Sequence, residues 1–188
     1  MVLVRHGDTA WSRSGQHTSR TELDLTDDGV AQARRLAEVI RPFNVDVTYT
    51  SPRLRARRTA ALAGLPDPII EDDLQEWDYG EAEGLTTAEI RQRLPGWSIW
   101  EGPWPGGETS EEIAVRADRV VARCLDGPPE RTVALVAHGH ILRVIAARWL
   151  GGPVTVGRWL VLGTAAVCRL GWEHDYRTLN LWNLTAAR

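Results

Sequence analysis

The amino-acid sequence predicts an α/β protein, a three-layer α/β/α sandwich with a mostly parallel sheet. Short apolar runs typical of buried parallel strands alternate along the chain with longer segments of helical periodicity. Two of these runs are nearly identical, LVRHG at residues 3–7 and LVAHG at residues 135–139, and both end in His-Gly. With 188 residues, the chain is long enough for a full core, and we predict one domain over residues 1–188.

The predicted elements follow one another in a regular order. Residues 1–5 form the first strand, and a long polar loop continues to residue 24. Thr26 fits the N-cap of a helix whose first turn holds two aspartates, and Pro42 ends that helix. The patterns then predict a strand at 45–49, a helix at 51–63, a short strand at 69–70, helices at 87–94 and from a Ser110 cap to 124, a strand at 132–137, a helix at 141–150, and one or two strands within 159–184.

The composition excludes several classes of chemistry. All 22 basic residues are arginine, so that a P-loop lysine, a Schiff-base lysine and a lysine general base are impossible. Arginine is left to bind any anion, and its forked guanidinium suits phosphate. The formal net charge of −3 does not indicate a nucleic-acid-binding protein.

The sequence also bears on the compartment. No apolar run approaches the length of a membrane span, and the chain is strand-like from residue 1, which leaves no room for a signal peptide. Cys124 and Cys168 lie in apolar segments without a CxxC pair, as expected of reduced core residues. We therefore expect a cytoplasmic protein that does not bind membranes.

The two His-Gly dipeptides indicate a site. Ligands of open α/β sheets bind beyond the carboxyl ends of the strands, so His6 and His138 would share one crevice if their strands are neighbours. Arg5 stands beside the first histidine. A single His-Gly after a strand is more often a plain turn, but the repetition together with a guanidinium favours chemistry on a phosphate.

Two further stretches carry candidate residues. Four arginines open the helix in SPRLRARRTA at residues 51–60, where a helix N-terminus favours an anionic partner; some of them must instead form a solvated face. Glu76 stands beside Trp77, close to Tyr79, and a desolvated carboxyl suits a proton donor, although an acidic surface loop would look similar.

RHGDT, SPRLRARRTA, LQEWDYGEAEG, PGGET and VAHGH, in this order, resemble the histidine phosphatase superfamily, the phosphoglycerate-mutase-like proteins. The resemblance covers essentially the whole chain. It implies that His6 is the nucleophile and that Glu76 is the proton donor. By the same resemblance Arg5, Arg55 and His138 form the phosphate pocket, with a further contact from the N–H of Gly139, and no metal or other cofactor is needed.

The chain departs from the family pattern at a few positions. Asp8 replaces the glutamate of RHGET, and Ser12 stands where many members carry asparagine, which weakens one expected phosphate contact. His140 replaces the commoner glycine or glutamate. Its side chain could contact the substrate, or His140 could simply be a turn residue, and the sequence favours neither role. A second anion of the substrate would need further cations, for which Arg13, Arg20 and Arg57 are candidates, while Trp11 or Trp77 could stack on a sugar.

Within this family, the motifs are most similar to those of the branch that contains sedoheptulose-1,7-bisphosphatase-like enzymes and small bacterial acid phosphatases. Only about two dozen residues separate Gly84 from Gly107, which predicts a small lid with a Trp-, Gly- and Pro-rich loop and favours water as the acceptor. We expect a phosphatase for a small phosphomonoester, a sugar phosphate or bisphosphate. The alternatives are a mutase, a non-catalytic sensor of phosphorylated ligands, and a zinc hydrolase built on His138 and His140. Whether the protein forms a homodimer stays open.

Overall fold

The computed structural model describes residues 1–102 and 104–186 and contains a mixed sheet of six strands in the order β3-β2-β4-β1-β5-β6. Strands β1 to β4 run parallel, whereas β5 is antiparallel to β1 and β6 to β5. The mostly parallel sheet is confirmed. The strands are β1 (Val2–Arg5), β2 (Val47–Thr50), β3 (Ile69–Ile70), β4 (Val133–Ala137), β5 (Val167–Glu173) and β6 (Tyr176–Leu184).

Six α-helices lie within the described residues. They are α1 (Ala10–Ser14), α2 (Asp27–Ile40), α3 (Leu54–Leu62), α4 (Thr87–Arg93), α5 (Ser110–Leu125) and α6 (Gly139–Trp149). Thr26 caps α2 as predicted, but α5 is capped by Thr109 rather than Ser110, because the Thr109 side chain accepts the N–H of Glu112. Helix α1 lies in a segment predicted as loop; its five residues are too few to show a helical period.

The helices cover both faces of the sheet, as the three-layer prediction requires. On one face, Leu36 and Ile40 of α2 and Ala56 of α3 pack with Val2 and Val4 of β1 in one hydrophobic cluster. On the other face, α5 and α6 pack on Leu3 and Leu135 in a second, larger cluster. Burial of strands from both sides explains why β1 and β4 are continuous apolar runs.

The predicted small lid is helix α4 with the Trp-rich loop that follows it. Trp97, Trp100 and Trp104 are each less than a tenth exposed and belong to the larger cluster, which anchors the loop on the sheet. Pro103 of this loop lies outside the described residues, as do residues 187 and 188. Among the residues described, no helix combines the length and apolar character that crossing a membrane requires.

Candidate active site

The carboxyl ends of β1 and β4 bring the two repeated histidines together. The strands are neighbours and pair with Arg5 opposite Ala137, so that His6 and His138 follow at the same level. Both side chains are buried, and their ring centroids lie 5.2 Å apart with the ring planes inclined at 63°. The pairing of strands that the repeated pentapeptide predicted is therefore present.

The hydrogen bond of His6 fixes which ring nitrogen is free. Nδ1 lies 2.7 Å from the carbonyl oxygen of Gly7, and a carbonyl can only accept, so Nδ1 carries the proton. Nε2 then keeps its lone pair. Burial lowers the pKa of His6 well below its ordinary value, and the positive charges of Arg5 and Arg55 lower it further. The result is a neutral imidazole with one nitrogen available for attack.

We predict that His6 stays neutral on the acidic side of neutrality. Because its pKa is lowered in the folded protein, protonation requires a pH well below the ordinary value of about 6.5. Ring ¹⁵N NMR at about pH 6 should show a protonated Nδ1 and a bare Nε2, with His6→Ala used to assign the signals. A His6 signal that titrates at or above pH 6.5 would contradict this reading of the site.

His138 is neutral for a similar reason and holds two neighbours. Its Nδ1 accepts from Nε of Arg55 at 3.2 Å, and Nε2 lies 2.7 Å from the hydroxyl of Ser51, which fixes the proton on Nε2. Burial lowers the pKa of His138 well below its usual range, and the charge of Arg55 lowers this pKa further. Both ring nitrogens are occupied, so His138 positions Arg55 close to His6.

Arg55 is buried and Arg5 is half-buried, and neither cation has a carboxylate partner among the described residues. Nη1 of Arg5 donates to the carbonyl of Leu162 at 2.5 Å, while its Nε is buried without a partner in the part of the chain that the structure describes. Arg55 is fully buried, and its terminal nitrogens donate to three carbonyls, those of Thr18, Ser19 and Thr21. Burial lowers the pKa of both guanidiniums, a cost that a bound anion would offset.

We predict that Arg55→Ala is far more damaging than Arg58→Ala. Arg55→Ala removes a buried charge and leaves three carbonyls and the His138 ring without their donor, so kcat/KM should fall about 100- to 1000-fold. Arg58 is partly exposed and pairs with Asp24, so its loss should change the rate less than about threefold. Steady-state kinetics with thermal melting of both variants separates rate from stability. A larger loss for Arg58→Ala would show that the wrong face of α3 had been assigned.

Glu76 is held in one orientation by backbone donors. Its Oε1 accepts the N–H groups of Trp77 and Ile141, each at 2.9 Å, and Oε2 accepts that of His140 at 2.9 Å. Two of these donors belong to the first turn of α6, where a helix terminus favours an acidic group. Glu76 is only 6% exposed and lines the same crevice as His6.

The crevice has a volume of about 230 Å³, which suits a phosphoryl group with a small substituent. The sequence-predicted residues that line it are Arg5, His6, Trp11, Ser12, Glu76, Gly139 and His140. Arg55 and His138 lie close to His6 but do not line the wall of the crevice. Ser12 lines the crevice with its hydroxyl already engaged, because Oγ donates to Asp8 at 2.7 Å and accepts the N–H of Thr9 in the cap of α1.

The structure places several predicted substrate contacts elsewhere. Arg13 pairs with Asp8 and Asp28, and Arg20 pairs with Asp78 in a groove that meets the crevice at Glu76; neither arginine lines the crevice. Arg57 is exposed on α3. Trp77 is fully buried in the core and unavailable to a sugar; its Nε1 donates to the carbonyl of Glu108 at 2.8 Å.

Sequence reasoning missed several residues of the site. Ser51 supports His138, and Thr59 accepts the N–H of Gly7 at 3.0 Å, which ties α3 to the loop after His6. The place of Ser51, directly after β2, was the signal that could have revealed it. His17, Tyr79 and Arg143 also line the crevice, and the Tyr79 hydroxyl lies 2.6 Å from Nδ1 of His140.

The histidines do not converge on a common point as metal ligands would. Within residues 1–102 and 104–186, no group of three histidine, cysteine, aspartate or glutamate side chains is arranged to hold a metal ion. The ring nitrogens of His138 and Nδ1 of His140 instead face Arg55, Ser51 and Tyr79.

A buried neutral imidazole, with cations and a carboxyl beside it at the strand ends of an α/β sheet, defines a site for chemistry on an anionic group such as phosphate. The profile of the histidine phosphatase superfamily (branch 1) matches residues 1–185, and the chain belongs to that superfamily. The family resemblance of the sequence is thereby confirmed.

Individual relatives agree with this assignment. An acid phosphatase of Mycobacterium tuberculosis is 40% identical over 187 residues, which cover 98% of this chain and 92% of that protein. A sedoheptulose 1,7-bisphosphatase of Saccharomyces cerevisiae is 36% identical over 181 residues, covering 80% of this chain and 67% of that protein. The solved structure of an open reading frame product from M. tuberculosis has a TM-score of 0.95 and 40% identity, and the match covers 99% of this chain and 97% of that one.

Proposed function

We propose that the protein is a metal-independent phosphatase that hydrolyses a small phosphomonoester, a sugar phosphate or sugar bisphosphate, through a phosphohistidine. The observation that carries the proposal is the neutral, buried His6 with its free Nε2, which lines one crevice with Arg5 and Glu76 and is influenced by the charge of Arg55. Membership of the histidine phosphatase superfamily supports the same chemistry. The relatives named acid phosphatase and sedoheptulose 1,7-bisphosphatase support the substrate class.

In the first step, Nε2 of His6 attacks phosphorus, an N–P bond forms, and the bond from phosphorus to the leaving oxygen breaks. Arg5 and Arg55 neutralise the charge on the phosphoryl oxygens, and Gly139, the first residue of α6, supplies an N–H at a helix terminus. Protonated Glu76 gives its proton to the leaving oxygen. The hydrogen bond from Nδ1 to Gly7 stabilises the charge that His6 acquires.

In the second step, water attacks phosphorus and the N–P bond breaks. The Glu76 carboxylate accepts a proton from this water, so inorganic phosphate leaves and both residues return to their first state. The small lid favours water over a returning alcohol, because little of the chain covers the crevice to retain an intermediate. A mutase would have to keep its substrate in place between two transfers.

Other properties of the protein belong to the same proposal. We expect one domain, a cytoplasmic location, no nucleic-acid partner, and either a monomer or a homodimer.

The experiment is a screen for release of free phosphate from sugar phosphates, sugar bisphosphates, phosphoglycerates, nucleotides and p-nitrophenyl phosphate, before and after chelation. Release that persists with chelator supports a metal-independent phosphatase. Transfer of phosphate between two positions of one substrate would identify a mutase instead. A protein inert to the whole panel would fit a sensor of phosphorylated ligands.

A further inference from the structure

A second cavity opens from the crevice beneath the lid. It has a volume of about 440 Å³, and we call it the lid chamber. Arg91, Trp97, Trp100 and Arg158 line it, while His17 and His140 line both the lid chamber and the crevice. A ligand longer than a phosphoryl group could therefore extend from one cavity into the other.

The lid chamber adjoins the crevice at His17 and His140, and His140 stands near Glu76. Oε2 of Glu76 lies 4.0 Å from Nδ1 of His140, whose ring borders both cavities. In an in-line displacement the leaving group departs opposite the attacking nitrogen, toward its proton donor. If Glu76 is that donor, the remainder of the substrate leaves the crevice beside Glu76 and His140, and past His140 the lid chamber has room for it.

The chemistry of the lid chamber suits an anion carried on a compact carbon skeleton. Nε of Arg91 donates to the carbonyl of Trp97 at 3.0 Å, which holds the guanidinium at the wall, and no carboxylate among the described residues pairs with it. Arg158 pairs with Glu101 at 2.9 Å, so one positive charge is left over. Trp97 and Trp100 also line the lid chamber, each with less than a tenth of its surface exposed.

We propose that the lid chamber binds the leaving group of the substrate, and that Arg91 binds a second anionic group on it, a phosphate or a carboxylate. This inference rests on the proposed phosphatase activity. It replaces Arg13, Arg20 and Arg57 as candidates for a second anion site, since two of these arginines are paired with aspartates and the third lines neither the crevice nor the lid chamber.

The test compares substrates that differ only in the second anion. One pair is fructose 1,6-bisphosphate with fructose 1-phosphate, and the other is 3-phosphoglycerate with glycerol 1-phosphate. For each pair the ratio of the two kcat/KM values measures the contribution of the second anion. In Arg91→Met we expect this ratio to fall about tenfold for the pair whose anion the lid chamber binds, mainly through KM. Whether the phosphate pair or the carboxylate pair responds identifies the group.

Matched variants make the result specific. Arg93 lies on the same helix, is exposed and does not line the lid chamber, so Arg93→Met should leave both ratios unchanged. Arg91→Lys keeps the charge and should restore part of the preference. If both ratios stay unchanged in Arg91→Met, even when kcat/KM falls equally for the two members of a pair, the assignment of the lid chamber is overturned. If the wild-type protein releases phosphate from none of the four compounds, this result contradicts the phosphatase proposal itself.

Discussion

His6→Ala should abolish phosphate release, with a loss in kcat of about 10⁴-fold or more, because it removes the proposed nucleophile. The neighbouring imidazole of His138 has both ring nitrogens engaged, with Arg55 and with Ser51. Brief incubation of the wild-type protein with ³²P-labelled substrate, followed by denaturation, should trap an acid-labile label on a histidine. The His6→Ala protein should carry none.

The control for this experiment is His174→Asn. His174 is exposed in the turn between β5 and β6 and does not line the crevice, and asparagine tolerates its positive φ of 52°. This variant should be labelled and turn over like the wild type. Label retained in His6→Ala would mean that another group is the nucleophile, and residual turnover near the wild-type rate would have the same meaning.

The centre of the site could be predicted because strand ends are visible in the sequence. An apolar run that stops at His-Gly specifies where a buried strand ends, and parallel neighbours place both ends at one edge of the sheet. His6 and His138 follow from this argument alone. Glu76 does not, since it lies after a short 3₁₀ turn at Asp72–Leu74; its aromatic neighbours made it a candidate, and the family motif implied its role.

The destinations of the surface arginines could not be predicted. Arg13 and Arg20 bind aspartates that are nearby in space, but the sequence shows only that such acids are abundant. An exposed ion pair contributes about 1 kcal/mol or less, so no pattern in the sequence records which partner is chosen. By contrast, Arg55 is fixed by three loop carbonyls and His138, contacts that only the tertiary fold creates.

The Trp-rich segment shows a different limit of sequence reasoning. A tryptophan beside a candidate acid suggests a stacking surface, yet Trp77 is completely buried, whereas Trp97 and Trp100 line the lid chamber. All three belong to the same hydrophobic cluster, so hydrophobicity does not distinguish a core indole from one at a cavity wall. The difference arises from the path of the loop, which has no periodic signal.

Replacing Glu76 with glutamine should separate two kinds of substrate. For a sugar phosphate, whose alkoxide leaves poorly without a proton, we expect a loss of about 10²- to 10⁴-fold. For p-nitrophenyl phosphate, whose phenolate leaves without help, the loss should be about tenfold or less. The measurement is kcat/KM on both substrates, with thermal melting of each variant.

The structure shows why this variant needs a matched control. Glutamine places an NH₂ group where a carboxylate oxygen accepts a backbone N–H, so one of the donors from Trp77, His140 or Ile141 loses its partner. Such a loss costs about 1–3 kcal/mol and could displace α6. Glu83 also accepts backbone N–H groups, from Ser19 and Thr21, but does not line the crevice.

Glu83→Gln therefore makes the same kind of change, an amide where a carboxylate accepts backbone N–H groups, without touching the proposed proton transfer. Its losses should be similar for the sugar phosphate and for p-nitrophenyl phosphate, because a displaced loop harms binding of the shared phosphoryl group. Only Glu76→Gln should show a much larger loss on the poor leaving group. If Glu76→Gln also loses equally on both substrates, Glu76 supports the fold of the crevice rather than the departure of the leaving oxygen. Asp78 is then a weak substitute, since it is paired with Arg20 outside the crevice.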